Sequence, residues 1–547
     1  MGLSERGVED LDRRGRPSGR VGWKSALRSW TGGPGNAATG TSVERHSPRT
    51  SRDHRTFWQG CWWLRALEAP KSFSPTVSRT VPGVPDVPRW IPSGSREESA
   101  LLQELGIPNT EALFVDVPKK LRMGRMGVGA GHSEPEVVAA VDKILDRNRP
   151  LSKFASFLGG RIAVRYVPAA VDALISRSEF YTSYTPYQPE ASQGMLQSLF
   201  EFQSLWVELS GMDVSNASMY DGATALGEAA LFCKRLHEGD RFLIPASLPW
   251  EEKSVVANYL AGTRARVEEI PFDGRTGRLD LSAVRDAVAR PGVFGLVADI
   301  PNGFGVVDEG LLELKSILGK IPLAVSADPL ALTVLEPPGN WGADVVVGEG
   351  QPFGIAPAGG GPLLGLFACR KEQARLAPGR IVGLTRDVQD HPAFALTLQT
   401  REQHIRRSRA TSNICTNESL LALAFVTYAT LVGPRGLAEL QRSLAERART
   451  LATSLGAIEG LEAPKFDAPY LSEFTVGLTH GTVQEFLDRL RRKKVLGGVP
   501  LADPRPGQAT PPGQWFLTAV HELTTEKDIQ KFARAARGSV AKGVTAS

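Results

Sequence analysis

The stretch "ADVVVGEGQPFGIAPAGGGPLLGLFACR", residues 343–370, decides the fold. A valine run rises into a short polar corner, Glu349-Gly350-Gln351-Pro352-Phe353, and a glycine-rich turn leads into a second apolar strand. Short apolar runs bounded by turn residues read as strands buried on both faces. No lysine occurs in residues 321–370. Lys320 precedes the strand before this stretch, and Lys371 begins the helix after it, where surface solvation explains it. An amine that is to form a Schiff base must sit at one defined place. This corner offers none.

The same alternation extends upstream. "RFLIPAS" (241–247), "ARVEEIPF" (265–272), "VFGLVADIPN" (293–302) and "IPLAVSADP" (321–329) read as strands. Between them "WEEKSVVANYLAG" (250–262), "LSAVRDAVAR" (281–290) and "LLELKSILGK" (311–320) read as helices. Strands separated by helices of about ten residues predict a mostly parallel sheet covered on both faces, an α/β large domain. In "SQGMLQSLFEFQSLWVELSG" (192–211), Met195, Leu199, Phe202, Trp206 and Leu209 recur at steps of four and three, and Gly211 ends the helix. That stripe reads as core. After Asn417 long helices lead into "SEFTVGL", "VQEFLDRLRRKKV", "QWFLTAV" and "EKDIQKFARAARG", a smaller C-terminal α+β domain from about 435. The basic run Arg489–Lys494 reads as a solvated helix face.

Upstream of the sheet, "SGSREESALLQELGI" offers Ser95 as an N-cap with Glu98 three residues on. The helix "PEVVAAVDKILDRN" follows at 135–148. The chain thus divides into an extension (1–90), a helical arm (91–180), the large domain (181–434) and the small domain (435–547). Residues 1–90 carry 15 Lys and Arg against 8 Asp and Glu and six of the ten tryptophans, so the net charge of +5 describes the extension and the remaining chain is slightly acidic. A basic tail, a targeting peptide and a mis-called gene start all remain open for it.

A body without clustered Lys and Arg is not expected to bind nucleic acid. No apolar run approaches the roughly 20 residues that span a bilayer. The four cysteines are scattered and form no CxxC pair, and the histidines show no metal-ligand spacing. Neither disulfides nor a metal site is expected, which fits the cytoplasm.

Ligands of such sheets bind at the carboxyl ends of the strands. Asp221-Gly222-Ala223-Thr224 is a small-residue turn feeding a helix, and its N–H groups suit a phosphate. Asp221 would repel that phosphate, so N-capping is the simpler reading. Asp328 ends a strand, where a carboxylate suits a protonated ring nitrogen and is equally common turn chemistry. "EFYTSYTPYQPEASQG" (179–194) gathers Tyr181, Tyr184 and Tyr187, polar aromatics fit for a contact surface or a site wall. "LQTREQHIRRSRATSNICTNESL" (398–420) gathers Arg401, Arg406, Arg407, Arg409 and His404, suited to anions or an acidic partner.

Together "FLGG" (157–160), "YTSYTPYQPEASQG" (181–194), "NASMYDGATAL" (216–226), "GEGQPFG" (348–354) and "LQTREQHIRRSRATSNICTN" (398–417) resemble one family. It is the glycine dehydrogenase (decarboxylating), or P-protein, of the glycine cleavage system, and most narrowly its separate alpha chains, subunit 1. The resemblance covers about residues 90–540. It implies a fold type I pyridoxal-phosphate (PLP) transferase architecture and a heterotetramer. A beta chain (subunit 2) would carry the Schiff-base lysine and hold the cofactor. The implied reaction decarboxylates glycine and passes its aminomethyl group to the lipoyl arm of the H-protein.

By position, Gln351 stands where the partner's lysine would be, and Asp328 matches its pyridine-facing aspartate. Asp221, Gly222, Ala223 and Thr224 replace its phosphate turn, and Leu248 lies where relatives often have His. Tyr181, Tyr184, Tyr187, Gln188, Glu190, Gln193, Tyr220, Arg406, Arg407 and Asn413 become candidates for a shared site or an interface. Two rivals predict otherwise. A catalytically idle structural partner would respond only to interface mutations, and a self-sufficient PLP enzyme would use Lys371 or another lysine.

Overall fold

The computed structural model describes residues 95–123, 127, 129, 131–184, 186–502 and 513–540, so the 1–90 extension lies outside the described residues. Described residues 95–148 belong to one compact unit and those from Arg149 to Val540 to another. In the first, α1 spans Ser95–Glu104, starting at the serine read as its cap. The helix α2 (Glu134–Leu145) is capped by Ser133, whose N–H and hydroxyl both donate to Glu136 at 2.8 Å. None of the unit's residues whose burial is described is buried.

The second unit is built on a seven-stranded sheet. Its strands are β1 (Val214–Ser215), β2 (Arg241–Pro245), β3 (Arg266–Ile270), β4 (Val293–Ile300), β5 (Leu323–Ala327), β6 (Val345–Glu349) and β7 (Gly365–Cys369). They lie in the order β1-β7-β6-β5-β4-β2-β3. Only β7 runs against its neighbours, and the remaining pairings are parallel.

Alternation along the strands feeds two separate cores. Leu243, Leu296, Val325 and Val346 join a cluster with the helix Gln193–Ser210. Phe242, Phe294, Ala324 and Val345 join one with the helix Gly222–Leu236. The stripe read from the sequence is core: Met195, Leu199, Phe202, Trp206 and Leu209 are all buried. Gly211 closes that helix in the left-handed conformation, φ 69°.

The helix Ser419–Gly456 satisfies the length and composition of a membrane span, contrary to the sequence reading. It is interrupted by Gly433 (φ 71°, ψ 167°) before Pro434, and Phe425, Leu437, Leu444 and Leu451 pack into the core. Beyond it, Leu461–Glu462, Glu473–Leu478, Trp515–Ala519 and Val499–Pro500 form an antiparallel sheet in that order. The basic run is only partly solvated. Arg489 donates to the Ser539 carbonyl at 2.9 Å, and Lys493 holds Ala535, Gly538 and Ser539 at the end of the helix Glu526–Arg537.

Candidate active site

A cavity of about 320 Å³ opens where β2, β4, β5 and β6 end, lined by Leu248, Asn302, Asp328 and Glu349. Gly159, Gly160 and Arg161 and the small-domain residues Ser472, Glu473 and Pro500 complete its walls. Four positions singled out in the sequence converge here: Gly222, Leu248 and Asp328 line the cavity, and Gln351 lies beside lining residues Glu349 and Pro352.

Gln351 is wholly buried and fully bonded. Its amide oxygen accepts from Ala163 N–H at 2.9 Å, and its amide nitrogen donates to the carbonyls of Ala163 (3.0 Å) and Ile355 (2.6 Å). The next residue but one, Phe353, stacks on Phe425 at 4.6 Å and fixes the corner under the long helix. The corner is rigid, and it holds no amine.

Asp221 behaves as a cap. Its Oδ1 accepts from Thr224 N–H at 2.7 Å, while its own N–H donates to the Thr224 hydroxyl at 3.2 Å. The first N–H of this helix is taken by Glu349. Gly222 N–H donates to its Oε2 at 2.9 Å, and Gln351 N–H (2.8 Å) and Leu364 N–H (3.0 Å) donate to its Oε1. The fit is close, since a Cβ on residue 222 would meet the N and Cβ of Glu349 at 3.1 Å and they would have to give by a few tenths of an ångström. Burial pushes the Glu349 carboxyl up to about 7, against the pull of the three N–H donors.

With the amine absent and the Gly222 and Thr224 N–H groups taken by carboxylates, these residues do not fit a phosphate-bearing aldehyde cofactor. Asp328 is half-buried; its Oδ1 accepts from Leu330 N–H at 2.8 Å, the turn role. Leu248 is buried and carries no ring to stack.

Sequence reasoning missed the charged cluster on the other wall. Arg161, held at φ 74°, pairs with Glu252 at 2.9 Å and with Asp299, and donates to the Pro301 carbonyl at 3.3 Å. Two buried carboxylates share one guanidinium. Burial, with Glu252 adding to it against Arg161, pushes Asp299 up to about 7. Burial also raises Glu473, whose carboxylate accepts from Gly160 N–H at 3.2 Å. The one available signal was the arginine directly after "FLGG".

The tyrosine and arginine stretches do not line the cavity. Tyr181 and Tyr184 are 70% and 74% exposed, and Gln188, Glu190, Arg406, Arg407 and Asn413 are exposed as well. Gln193 instead clamps backbone, exchanging bonds with Phe394 N–H (2.9 Å) and carbonyl (2.8 Å). The two stretches meet at Tyr187, whose ring lies 5.7 Å from that of His404. Buried Arg380 sits 4.7 Å over the same ring and donates to its hydroxyl at 2.7 Å. Arg401 is buried against the carbonyls of Ala377, Leu398 and Gly379, so it is structural.

The Asp221 turn joins this surface too. Cys415 N–H donates to the Tyr220 hydroxyl at 3.4 Å, and Asn417 donates to the Ala217 carbonyl at 2.9 Å. The motifs at 181–194, 216–226 and 398–417 are one neighbourhood, bonded from below to 348–354 through Gly222 and Glu349. Lys371 is exposed.

The model of the glycine cleavage system P-protein family matches residues 88–532. A probable glycine dehydrogenase (decarboxylating) subunit 1 from Geobacillus kaustophilus is 41% identical over 453 residues, covering 81% of this chain and 97% of the relative. The crystal structure of a glycine decarboxylase (P-protein) of the glycine cleavage system, in inhibitor-bound form, superposes with a TM-score of 0.74 at 34% identity, covering 82% of this chain and 99% of that one. A sphingosine-1-phosphate lyase from Burkholderia pseudomallei superposes with a TM-score of 0.53 at 14% identity over 77% of this chain and 94% of the lyase, a likeness of fold alone. The sheet order with its single reversed strand, the corner without a lysine and the match over most of both lengths lead to one conclusion. The chain belongs to the glycine cleavage system P-protein family, on the side of the relatives called subunit 1.

Proposed function

We propose that this chain is the lysine-free half of a two-chain glycine decarboxylase working in the cytoplasm. The observation that carries the reading is Gln351, buried and triply bonded in a corner that offers no amine. A beta chain (subunit 2) then holds PLP, which supplies the electron sink for loss of carbon dioxide from glycine. The aminomethyl group passes to the lipoyl arm of an H-protein. Exposed Tyr181, Tyr184, Arg406 and Arg407 are this chain's contribution, facing the partner and narrowing the approach to its site. Tyr187 holds their two stretches together from behind. We place the division between large and small domains at the break after Gly433.

The experiment is a visible spectrum of residues 90–547 with PLP, alone and with the beta chain, followed by borohydride trapping. The reading expects no trapped cofactor on this chain and glycine decarboxylation only after mixing. A trapped lysine on this chain would mean a self-sufficient enzyme. A mixture whose activity survives every exposed substitution that leaves assembly intact would mean an idle structural partner.

A further inference from the structure

The carboxylate of Glu349 is an unusual group to find at the start of a helix that is already capped. Asp221, the residue next to Gly222, supplies the ordinary local cap through Thr224 N–H. Glu349 arrives from 127 residues away, from the end of β6, and is 7% exposed. It accepts three backbone N–H bonds, one at the head of the 15-residue helix Gly222–Leu236 and two within its own corner. Converging N–H groups at a helix N-terminus are what proteins use to hold phosphate or carboxylate anions.

We propose that Glu349 is an internal anion, standing where a phosphate would sit in this fold and holding the Asp221 turn and the Gln351 corner together without a bound cofactor. The close approach that glycine permits at position 222 is part of the same construction, because a Cβ there would crowd the backbone and Cβ of Glu349 at 3.1–3.2 Å. Glu349 is a positioning residue. Its removal orphans three buried or half-buried N–H groups, one on the Asp221 turn and two in the corner, beside the backbone bridge between Met219 and Gly365 that also joins these segments. The inference rests on the fold and not on the identity of the reaction, so its test uses this chain alone.

The test is E349A in the full chain at pH 8, unfolded by heat in chloride, formate, acetate or inorganic phosphate at one ionic strength. E349A is expected to melt about 5 °C or more below wild type in chloride, the scale of one to a few lost buried bonds. Formate or phosphate should recover much of that loss and saturate, beyond any general salting effect seen in wild type. An unchanged Tm overturns the proposal, as does a loss that none of the anions reverses more than it shifts wild type. Should E349A not fold, E349Q decides, since it keeps the shape but turns an amide N–H toward Gly222 N–H. Hydrogen exchange in the peptide bearing Gly222 is then expected to speed up at least tenfold, and exchange equal to wild type overturns the proposal.

Discussion

Arg380 lies 4.7 Å over the ring of Tyr187 and donates to its hydroxyl at 2.7 Å. The same guanidinium donates to Asn417 at 3.5 Å and faces Glu402 at 3.8 Å, which in turn lies 3.5 Å from His404. One buried side chain therefore sets the relative positions of the tyrosine loop, the arginine stretch and the head of the long helix. The planar fork is needed for this; an ammonium is a point donor.

Arg380→Lys is expected to cost about 1–3 kcal/mol, the loss of charge-assisted bonds at a buried site. Thermal unfolding of the isolated chain reads that cost. Activity of the mixture with the beta chain should fall more in kcat/KM for glycine than Tyr187→Phe lowers it, because the phenylalanine keeps the ring contact and gives up one hydrogen bond. Equal effects of the two variants would show that Arg380 does not organise the loop.

Gln351→Lys should not turn this chain into a PLP enzyme. The lysine can donate to the Ala163 and Ile355 carbonyls but leaves Ala163 N–H, now bonded at 2.9 Å, without its acceptor. The first N–H of the helix remains taken by Glu349. The variant is expected to lose about 1–3 kcal/mol for the orphaned donor and the buried amine. Borohydride should fix no cofactor to the peptide containing residue 351. A fixed adduct would show that the missing lysine alone separates this chain from a cofactor-holding one.

The architecture was legible because it follows from periodicity. The strands β2 and β4 to β7 carry apolar runs, and the stripe from Met195 to Leu209 occurs at helical spacing, so both announce their burial, whereas the edge strand β3 (RVEEI) is mostly charged and largely unburied. The absence of a lysine from residues 321–370 is plain in the sequence, but that this corner is the place to look for one came from the family resemblance and not from periodicity. Glu349 was in plain view and its role was not. Its partners, Gly222 and Leu364, are 127 and 15 residues away, and nothing in a sequence says which N–H groups a glutamate will meet. Arg161, Glu252 and Asp299 come from three separate segments and are joined only by the fold. Tyr187 read as an equal of Tyr181 and Tyr184, yet Arg380 holds it, still 41% exposed, while the other two are 70% and 74% exposed.

Stability should fall as pH rises through neutrality. The ordinary values for Glu349 and Asp299 are 4.5 and 3.8, and both are pushed up to about 7 in the fold, chiefly by burial. Between those limits the folded chain keeps protons that the unfolded chain has released. The proton-linked part of their contribution is therefore complete below about pH 4 and lost as pH rises through about 7, while the N–H bonds that Glu349 accepts persist. His521, lowered by burial, works the other way and removes stability as pH falls below its ordinary 6.5. Comparing variants separates the two. From about pH 6 to about pH 8, the Tm of E349Q should decline less steeply than that of wild type. Parallel profiles would mean that Glu349 keeps an ordinary carboxylate pKa, held down by its three N–H donors.

Tyr181 and Tyr184 offer the sharpest division between a surface that works and one that only covers. At 70% and 74% exposure they contribute little to the isolated chain, and truncating both should change its stability by no more than about 0.5 kcal/mol. Tyrosine is enriched among the few interface residues whose truncation costs about 2 kcal/mol or more of binding energy. Y181A/Y184A should accordingly leave the Tm of this chain in place while weakening either its association with the beta chain or the turnover of the assembled mixture. Sedimentation tells these apart: weaker association places the tyrosines at the interface, whereas intact assembly with slower glycine exchange places them on the route to the partner's site. If assembly and glycine exchange both match wild type, these tyrosines belong to neither, and the arginine stretch at 406–409 would be left as the surface to test.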